Sequence, residues 1–222
     1  MQIGEVFDEI QEEYTQKMKR WVPHYFELIE RLAGSFPVGW SPNRILDLGS
    51  GNGNITATLF TQFPHSQYTL LDASEKMMEE AKERFTGPQF YFYNALIQDA
   101  GFADNQFDLI TASFSLHHLP REDKEMAIRS IYRWLKPGGY FAYADLFIAK
   151  SDPEHPAFFE SWERFVKSNG QSDDWPYLSE HYTNYDHPDN VFTQLRWLQE
   201  LNFKEINLHI LDNYWIYLSA QK

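Results

Sequence analysis

Ile45-Leu46-Asp47-Leu48-Gly49-Ser50-Gly51-Asn52-Gly53-Asn54 carries more structural information than any other part of the chain. The pattern predicts a buried strand over 44–48, a tight glycine turn, and an amphipathic helix with Ile55, Leu59 and Phe63 on one face. Glycine tolerates positive φ and lets a ligand approach bare backbone, and a helix N-terminus presents free N–H groups and the positive end of a dipole. The stretch therefore predicts a cradle for an anionic group, with a purely structural turn as the alternative.

The spacing of the glycines separates two kinds of nucleotide cofactor. A dinucleotide fold requires G-x-G-x-x-G, and Asn54 stands where the third glycine would be, so that fingerprint fails. The stretch instead has the form D-x-G-x-G-x-G, in which Asp47 shortly precedes the first glycine. This form resembles motif I of the class I S-adenosylmethionine (SAM)-dependent methyltransferases.

An acidic residue ends the second predicted strand, 67–72. The Asp72 carboxylate can accept two hydrogen bonds from a ribose diol, as an acid at a similar offset does in dinucleotide folds. Ser74 can cap the predicted helix over 75–85. Asp72 is therefore expected to be free for the ligand.

Predicted strands alternate with predicted helices along the rest of the chain. Strands are expected over 89–94, 107–113 and 140–146, a helix over 120–135 that Lys136-Pro137-Gly138-Gly139 stops, a helix over 189–201, and a closing hairpin over 204–210 and 214–220. We expect Ile128, Ile131 and Leu135 on the first of these helices, and Val191, Leu195, Leu198 and Leu201 on the second, to face inward. The alternation predicts an α/β fold, a Rossmann-like three-layer sandwich. Its sheet would be seven-stranded and mostly parallel, with an antiparallel terminal strand and a helical lid.

Two segments fall outside this scaffold. Residues 1 to about 33 are predicted to be helical, and residues about 147 to 187 are dense in aromatic side chains and interrupted by prolines. Ligands of doubly wound sheets bind beyond the carboxyl ends of the strands, and an insert after the fifth strand projects from that edge. We expect both segments to form a lid that supplies the acceptor pocket of one domain, 1–222, with an aromatic packing layer as the alternative.

Composition excludes several classes of function. The 222 residues carry a formal net charge of −13 and no cysteine, which excludes disulfides, cysteine-based metal sites and a cysteine nucleophile. Nucleic acid is disfavoured as a partner, because phosphates are usually met by a basic patch and the best candidate, 17–20, is surrounded by acids. No apolar run predicts a membrane span and no signal peptide is evident, so a cytoplasmic enzyme with a small-molecule substrate is expected. A homodimer is compatible with the sequence.

The resemblance to class I SAM-dependent methyltransferases extends over residues 45 to 145. Motif I, Asp72, residues 107–119 and residues 135–139 match in order and spacing, and the terminal hairpin extends the match. The resemblance implies SAM as cofactor and S-adenosylhomocysteine as product. It also implies cofactor contacts for Asp47, Gly49, Ser50, Gly51, Asn52 and Gly53 in the motif, for Asp72, Ala73 and Met77 after the second strand, and for Tyr25, Asn94, Ala95 and Ser113.

A finer similarity is to the carboxy-SAM synthase group and its uncharacterised methyltransferase relatives. It rests on Trp21-Val22-Pro23-His24-Tyr25 and on the fourth-strand region. That group holds the extra carboxylate of its cofactor with an arginine shortly before the last helix. Residues 184–190 contain no arginine, and His187 is a weaker substitute. Ordinary SAM is therefore the expected cofactor.

Methyl transfer asks little of the protein beyond positioning. The acceptor must lie in line with the methyl–sulfur bond with water excluded, and a base is needed only when the acceptor must lose a proton. Our candidates for catalytic residues are His117, His118 and Tyr14, although for each histidine a loop residue that caps or packs is the favoured alternative. His155, His181 and His187 lack a compact metal-binding spacing with Asp186, so no metal ligand is predicted.

The sequence thus predicts a SAM-dependent methyltransferase that acts on a small molecule, by in-line displacement, in an aromatic-lined site. Two alternatives stay open: a carboxy-SAM synthase-like enzyme of tRNA wobble modification, and a non-catalytic SAM-binding protein. The missing arginine weighs against the first, and the intact motif with Asp72 weighs against the second.

Overall fold

A computed structural model describes residues 3–10 and 13–222 of the chain. The helices are α1 (Ile3–Ile10), α2 (Tyr14–Trp21), α3 (Tyr25–Ala33), α4 (Asn54–Gln62), α5 (Glu75–Arg84), α6 (Arg121–Trp134), α7 (His155–Asn169), α8 (Asp174–Tyr185) and α9 (Val191–Glu200). The strands are β1 (Arg44–Leu48), β2 (Gln67–Asp72), β3 (Phe90–Asn94), β4 (Phe107–Ser113), β5 (Leu135–Leu146), β6 (Lys204–Asp212) and β7 (Trp215–Gln221). Short 3₁₀ turns at Ile97–Asp99 and Leu116–His118 follow β3 and β4.

The strands form one seven-stranded sheet in the order β3-β2-β1-β4-β5-β7-β6. β7 runs antiparallel to both β5 and β6, whereas β1 to β5 pair in parallel. The order reverses between β1 and β4, so the loops after these strands diverge and leave a crevice at their carboxyl ends. The predicted fold class is confirmed.

Two apolar clusters cover the two faces of the sheet. Alternate side chains of a strand point to opposite faces, and Ile45 accordingly joins the cluster that contains α3 and α4. Leu46 and Leu48 join the opposite cluster, which contains α6 and α9. The predicted inward face of α4 is confirmed, since Ile55, Leu59 and Phe63 are all buried.

The start of β5 differs from the prediction. β5 begins at Leu135, which pairs with Phe107, and the pairing slips before Tyr140 meets Leu109. Gly138 has a φ of +78°, which a bulge accommodates readily. The Lys-Pro-Gly-Gly segment therefore ends α6, as predicted, but continues as irregular strand instead of a separate loop.

The inward face of α9 is also only partly as predicted. Leu198 is fully buried, but the neighbouring buried positions are Gln194 and Trp197, while Val191, Leu195 and Leu201 are half-buried. Gln194 lies inside because its side-chain oxygen accepts a hydrogen bond from the Tyr143 hydroxyl at 2.8 Å. The sheet thus presents a polar atom to this helix, which apolar periodicity could not reveal.

α1 is attached to the turn between β2 and α5. The Asp8 carboxylate accepts hydrogen bonds from the Ser74 hydroxyl at 2.5 Å and from the Lys76 backbone at 3.1 Å. Gly4 lies so close to Ala73 that an added Cβ would overlap the Ala73 carbonyl. The helical prediction over 1–33 also covers residues 1, 2, 11 and 12, which lie outside the described residues.

The aromatic insert after β5 folds as α7 and α8 and packs on α2. The Trp162 indole donates a hydrogen bond to the Trp21 carbonyl at 2.6 Å, and the Arg20 guanidinium contacts the Asp174 carboxylate at 3.0 Å. The N-terminal helices and the insert therefore form a continuous cover over one end of the sheet.

No helix within residues 3–10 and 13–222 combines the length and the apolar character that crossing a membrane requires.

Candidate functional site

The glycine turn after β1 adopts a backbone conformation that few other residues accept. Gly49, Gly51 and Gly53 have φ values of +63°, +53° and +84°. The Gly51 N–H donates to Oδ2 of Asp72 at 2.7 Å, which ties the turn to the end of β2. The predicted turn, followed directly by α4, is thus present.

Alanine substitution is expected to affect two of these glycines differently. An added Cβ at Gly49 would overlap the Ser115 side chain, whereas one at Gly51 would lie 3.5 Å from the Tyr14 ring, an ordinary contact. Both variants meet the backbone strain of positive φ, but only Gly49→Ala adds overpacking, which costs about 1–3 kcal/mol more. Urea unfolding without ligand measures the difference, and equal free energies of unfolding would contradict this account.

A cleft of about 670 Å³, counted to its mouth, lies over the turn, and we call it the outer cleft. Its lining residues are Ile3, Phe7, Tyr14, Gly49, Gly51, Asp72, Ala73, Met77, Leu96, Ile97, Gln98, Phe114, Ser115, His118, Leu119 and Pro120. Among the predicted cofactor residues, the lining includes Gly49, Gly51, Asp72, Ala73 and Met77.

Asp72 lies at the edge of the outer cleft with part of its carboxylate already engaged. Oδ2 accepts the Gly51 N–H, and Oδ1 accepts the Ser74 N–H at 2.8 Å. Ser74 caps α5 as predicted, through a 3.1 Å bond from the Met77 N–H to its hydroxyl. Each carboxylate oxygen offers about two lone pairs, so Asp72 keeps acceptor capacity for a ligand diol.

Asp47 lies beneath the turn and does not line the outer cleft. Its side chain is buried, and its two oxygens accept hydrogen bonds from Thr56 at 2.6 Å and Thr111 at 3.3 Å. Burial raises the pKa of Asp47 from 3.8 to about 7, although the two threonine hydroxyls oppose that rise. The structure thus places Asp47 as a support of the turn.

Tyr25 also stands behind the turn instead of in the cleft. Its hydroxyl accepts a 3.0 Å hydrogen bond from Asn54, which begins α4 and is also bonded to Thr15 and Arg84. Asn52 bonds to Glu80 on α5 at 3.1 Å. Among the predicted cofactor residues, Tyr25, Ser50, Asn52 and Gly53 are outside the lining of the outer cleft.

The segment after β3 reaches the cleft slightly later than predicted. The Asn94 amide and the Ala95 N–H both donate to the Asp72 carbonyl, at 3.1 and 3.0 Å, and Ser113 ends β4. The outer cleft lining includes residues 96–98 but not Asn94, Ala95 or Ser113. The sequence contained no polar signal for Leu96 and Ile97, because their contribution to the wall is apolar.

A second cavity of about 540 Å³ adjoins the outer cleft, and we call it the inner chamber. Its apolar and aromatic lining residues are Phe7, Tyr14, Met18, Trp21, Val22, Phe114, Leu146, Trp162, Tyr177, Leu178 and Trp215. Its remaining lining residues are His117, His118, His181 and Asp186. The chamber is therefore built from the N-terminal helices, the insert, β7 and the loop after β4.

The outer cleft and the inner chamber share one wall, formed by Phe7, Tyr14, Phe114 and His118. Phe114 has a φ of +53°, a strained conformation for a bulky residue, and its ring lies 5.2 Å from that of Tyr25. Such strain persists where the surroundings enforce it, and it clusters at functional sites. The strained residue follows β4 and holds the wall between the two cavities.

The polar side of the inner chamber is a histidine–carboxylate cluster. The Nδ1 atom of His117 is paired with Asp145, while Nδ1 of His118 lies 2.8 Å from Oδ1 of Asp186. The same Oδ1 lies 3.3 Å from Nε2 of His181 and 3.8 Å from Nε2 of His117. We name His117, His118, His181 and Asp186 the histidine cluster.

Burial and the neighbouring charges shift the pKa values of this cluster in different directions. Burial lowers the pKa of His118 to about 4, and proximity to His117 adds to that shift. Burial opposes ionisation of His117, but the Asp145 and Asp186 carboxylates together raise its pKa above the ordinary value. The histidines hold the pKa of Asp186 well below its usual range despite burial. Asp186 is therefore a carboxylate at neutral pH and His118 is neutral.

Tyr14, the third predicted catalytic residue, lies in the shared wall beside Gly51. Burial, with smaller contributions from Tyr25 and Asp72, raises the pKa of Tyr14 well above 10. Its hydroxyl therefore stays protonated at neutral pH and can donate a hydrogen bond into either cavity.

His155 and His187, which the sequence analysis considered together with His181, lie outside the histidine cluster. His155 bonds to the Tyr182 hydroxyl at 2.7 Å, and the His187 side chain is exposed. Of the three histidines considered with Asp186 in the sequence, only His181 contacts it. Sequence spacing missed the actual grouping, because His118 and Asp186 are 68 residues apart.

Comparison with known proteins finds a family match over the part of the chain that contains the glycine turn. Residues 45–139 match the family described as a methyltransferase domain. The chain is 26% identical to demethylmenaquinone methyltransferase of Thermotoga maritima over 205 residues, covering 86% of this chain and 84% of the relative. It is 32% identical to 27-O-demethylrifamycin SV methyltransferase of Amycolatopsis mediterranei over 148 residues, covering 65% of this chain and 52% of the relative.

Several alignments to curated relatives are shorter, and one covers only 38% of the relative's length. Among solved structures, the chain resembles one from the complex of the Haloferax volcanii Trm112 methyltransferase activator with a methyltransferase. That TM-score is 0.70 at 14% identity, over 99% of this chain and 96% of the other. In its sheet order, its glycine turn and the domain matched over residues 45–139, the chain is similar to the class I SAM-dependent methyltransferases.

Proposed function

We propose that the protein transfers a methyl group from SAM to a small, largely apolar acceptor. The observation that carries the proposal is the wall shared by the outer cleft and the inner chamber. Two ligands bound on either side of Tyr14, Phe114 and His118 would meet at that wall. When bound, SAM supplies a methyl group on an activated sulfonium, so the protein has to hold and orient both ligands and exclude water.

The outer cleft fits SAM in its chemistry. The bare backbone of Gly49 and Gly51 lines the cleft and lets a ligand approach closely, and Asp72 keeps lone pairs for a ribose diol. The apolar side chains of Met77, Leu96 and Ile97 offer surfaces for an adenine ring. These features support the SAM assignment on residues of this chain alone.

The inner chamber favours an acceptor with an apolar body and one polar end. Its lining is aromatic and aliphatic except where the histidine cluster and the two tyrosines face it. We propose that the acceptor's reacting atom faces His118 and Tyr14, while rings such as Trp162 pack against its body. The relatives named for demethylmenaquinone and 27-O-demethylrifamycin SV are consistent with an acceptor of this class.

The site supports ordinary SAM over a carboxylated form. A carboxylate added at the methyl would usually be held by an Arg or Lys side chain, and the linings of the outer cleft and inner chamber contain neither among the described residues. Lys150 and Lys124, near residues 184–190, are engaged with backbone carbonyls and with Asp189. Mass spectrometry of ligand released from the purified protein should detect SAM or S-adenosylhomocysteine, and recovery of carboxy-SAM would overturn this choice.

The test of the proposal measures cofactor binding in the wild type and methyl transfer in a variant whose inner chamber is filled. Calorimetry should detect binding of SAM and of S-adenosylhomocysteine but no binding of NADH. Leu178→Trp places an indole in the inner chamber, and Leu178 does not line the outer cleft, so the variant should leave the dissociation constant for SAM within about twofold while abolishing methyl transfer. Ser179→Ala, on the same helix but outside both linings, is the control. Transfer is followed as S-adenosylhomocysteine release with a panel of phenols, hydroquinones and amines.

Two results would contradict the proposal. A folded protein with no heat and no thermal shift at millimolar SAM would remove the cofactor assignment. An accepted substrate that is methylated equally well by the wild type and Leu178→Trp would show that the acceptor binds elsewhere.

A further inference from the structure

The histidine cluster gathers three ring nitrogens around one carboxylate oxygen. Nδ1 of His118 and Nε2 of His181 lie at hydrogen-bonding distances of 2.8 and 3.3 Å from Oδ1 of Asp186, whereas Nε2 of His117 lies 3.8 Å away, beyond hydrogen-bonding reach. A hydrogen bond therefore does not explain why Nε2 of His117 faces this oxygen. In addition, Nδ1 of His181 is buried without a hydrogen-bond partner among the described residues.

The separations match those between ligands of one metal ion. Ligand atoms of a tetrahedral site with bonds of about 2.05 Å lie about 3.3 Å apart. One ligand atom each from His117, His118 and Asp186 lie within 4.8 Å of one another, and the distances to Asp186 spread around the tetrahedral value. Small side-chain rotations would complete such a site.

The carboxylates around the cluster are also placed as they usually are beside metal-binding histidines. Metal-binding histidines usually direct the other ring nitrogen at a carboxylate, and Nδ1 of His117 is paired with Asp145, which leaves Nε2 for the ion. Asp145 and Asp186 are both buried. A divalent cation would balance the charge of these two carboxylates.

We propose that His117, His118 and Asp186, with His181 beside them, hold a divalent transition-metal ion of the Zn²⁺ type at the polar end of the inner chamber and leave a fourth coordination position open. Imidazole and carboxylate ligands without cysteine suit Zn²⁺, Co²⁺ or Fe²⁺ better than the oxygen-seeking Mg²⁺ or Ca²⁺. All four side chains line the chamber, so the ion would face it. An acceptor oxygen or nitrogen could then complete the coordination, and the site would select acceptors that carry such an atom.

The inference goes beyond the proposed function, and its test needs neither SAM nor an acceptor. Tag-free full-length protein, dialysed against a chelator, is titrated with Co²⁺. We expect about one ion per chain and the visible absorption bands of four-coordinate Co²⁺, which Zn²⁺ should abolish by displacement and Mg²⁺ should leave unchanged. His118→Gln and Asp186→Asn are each expected to weaken Zn²⁺ binding at least 100-fold in calorimetry. Asp145→Asn should weaken it by about 10- to 100-fold, because it removes the partner of a ligand.

His65→Gln is the matched control, since this histidine is exposed and distant in the fold from the chamber. Circular dichroism verifies that each variant is folded. If Asp186→Asn does not fold, the result for His118→Gln decides the outcome. Absence of the Co²⁺ bands would overturn the proposal. Bands that persist in His118→Gln as strongly as in His65→Gln would overturn it equally. Calorimetry with SAM on the same samples distinguishes a failed metal site from a failed cofactor site.

Discussion

Asp72→Ala is expected to weaken SAM binding by about 1.5–3 kcal/mol, or roughly 10- to 150-fold in the dissociation constant. The carboxylate is the acceptor positioned for a ribose diol, and hydrogen bonds to charged groups are the strong ones. The substitution also frees the Gly51 and Ser74 N–H groups, which Asp72 holds at 2.7 and 2.8 Å. Both effects act in the same direction, because they remove ligand contacts and loosen the turn.

Calorimetry with SAM and S-adenosylhomocysteine measures this loss. Asp104→Ala is the matched Asp-to-Ala control, since that side chain is 61% exposed and pairs with Arg133 on the surface. Urea unfolding of both variants shows how much of the change is lost stability. An unchanged dissociation constant in folded Asp72→Ala would remove this residue from the cofactor site.

Asp47→Asn is expected to make the protein less sensitive to pH between about 4 and 7. Burial raises the pKa of Asp47 to about 7 in the folded state, from 3.8. In that window the folded state holds a proton that the unfolded state has lost, so the contribution of Asp47 to stability falls as pH rises and levels off above about 7. The variant lacks this titration and should therefore gain about 2–4 kcal/mol relative to wild type between pH 4 and pH 8.

Free energies of unfolding at several pH values, for wild type and variant, give the comparison. The difference between the two proteins is the relevant quantity, because other groups titrate equally in both. Asp104→Asn serves again as the exposed control. A wild type and an Asp47→Asn protein whose stability curves run parallel from pH 4 to pH 8 would show that Asp47 is ionised in the fold.

The scaffold of the outer cleft could be predicted because its signals are local. β1, β2 and β4 have the predicted bounds, and the turn from Gly49 to Gly53 has the predicted backbone. Strand periodicity, glycine conformation and helix capping each depend on residues a few positions apart. The predicted start of β5 was wrong, and the predicted inward face of α9 was only partly right, because both depend on distant partners. The bulge of β5 forms against β4, and Gln194 is buried by its hydrogen bond with Tyr143.

Residue type alone could not separate ligand contacts from supports. Asp47 belongs to motif I, and Tyr25 to the similarity with the carboxy-SAM synthase group. In this fold they face Thr56, Thr111 and Asn54 instead of the outer cleft. A strand residue contacts whichever layer its side points to, and the neighbouring elements decide which atoms it meets there. The part of the outer cleft lining that follows β3 is largely apolar, so no chemical signal in the sequence marked it.

The glycine turn, the acid that ends β2 and the alternation of strands and helices follow from the chain read in sequence, since each rests on near neighbours or on local periodicity. The strand order depends on the folded sheet. The inner chamber and the histidine cluster exist only in the folded protein. His118 and Asp186 are 68 residues apart, and His117 and Asp145 are 28 apart, so no spacing rule connects them. They meet because the insert of α7 and α8 folds back over the carboxyl end of β5 and packs against α2, where burial of aromatic surface determines the geometry.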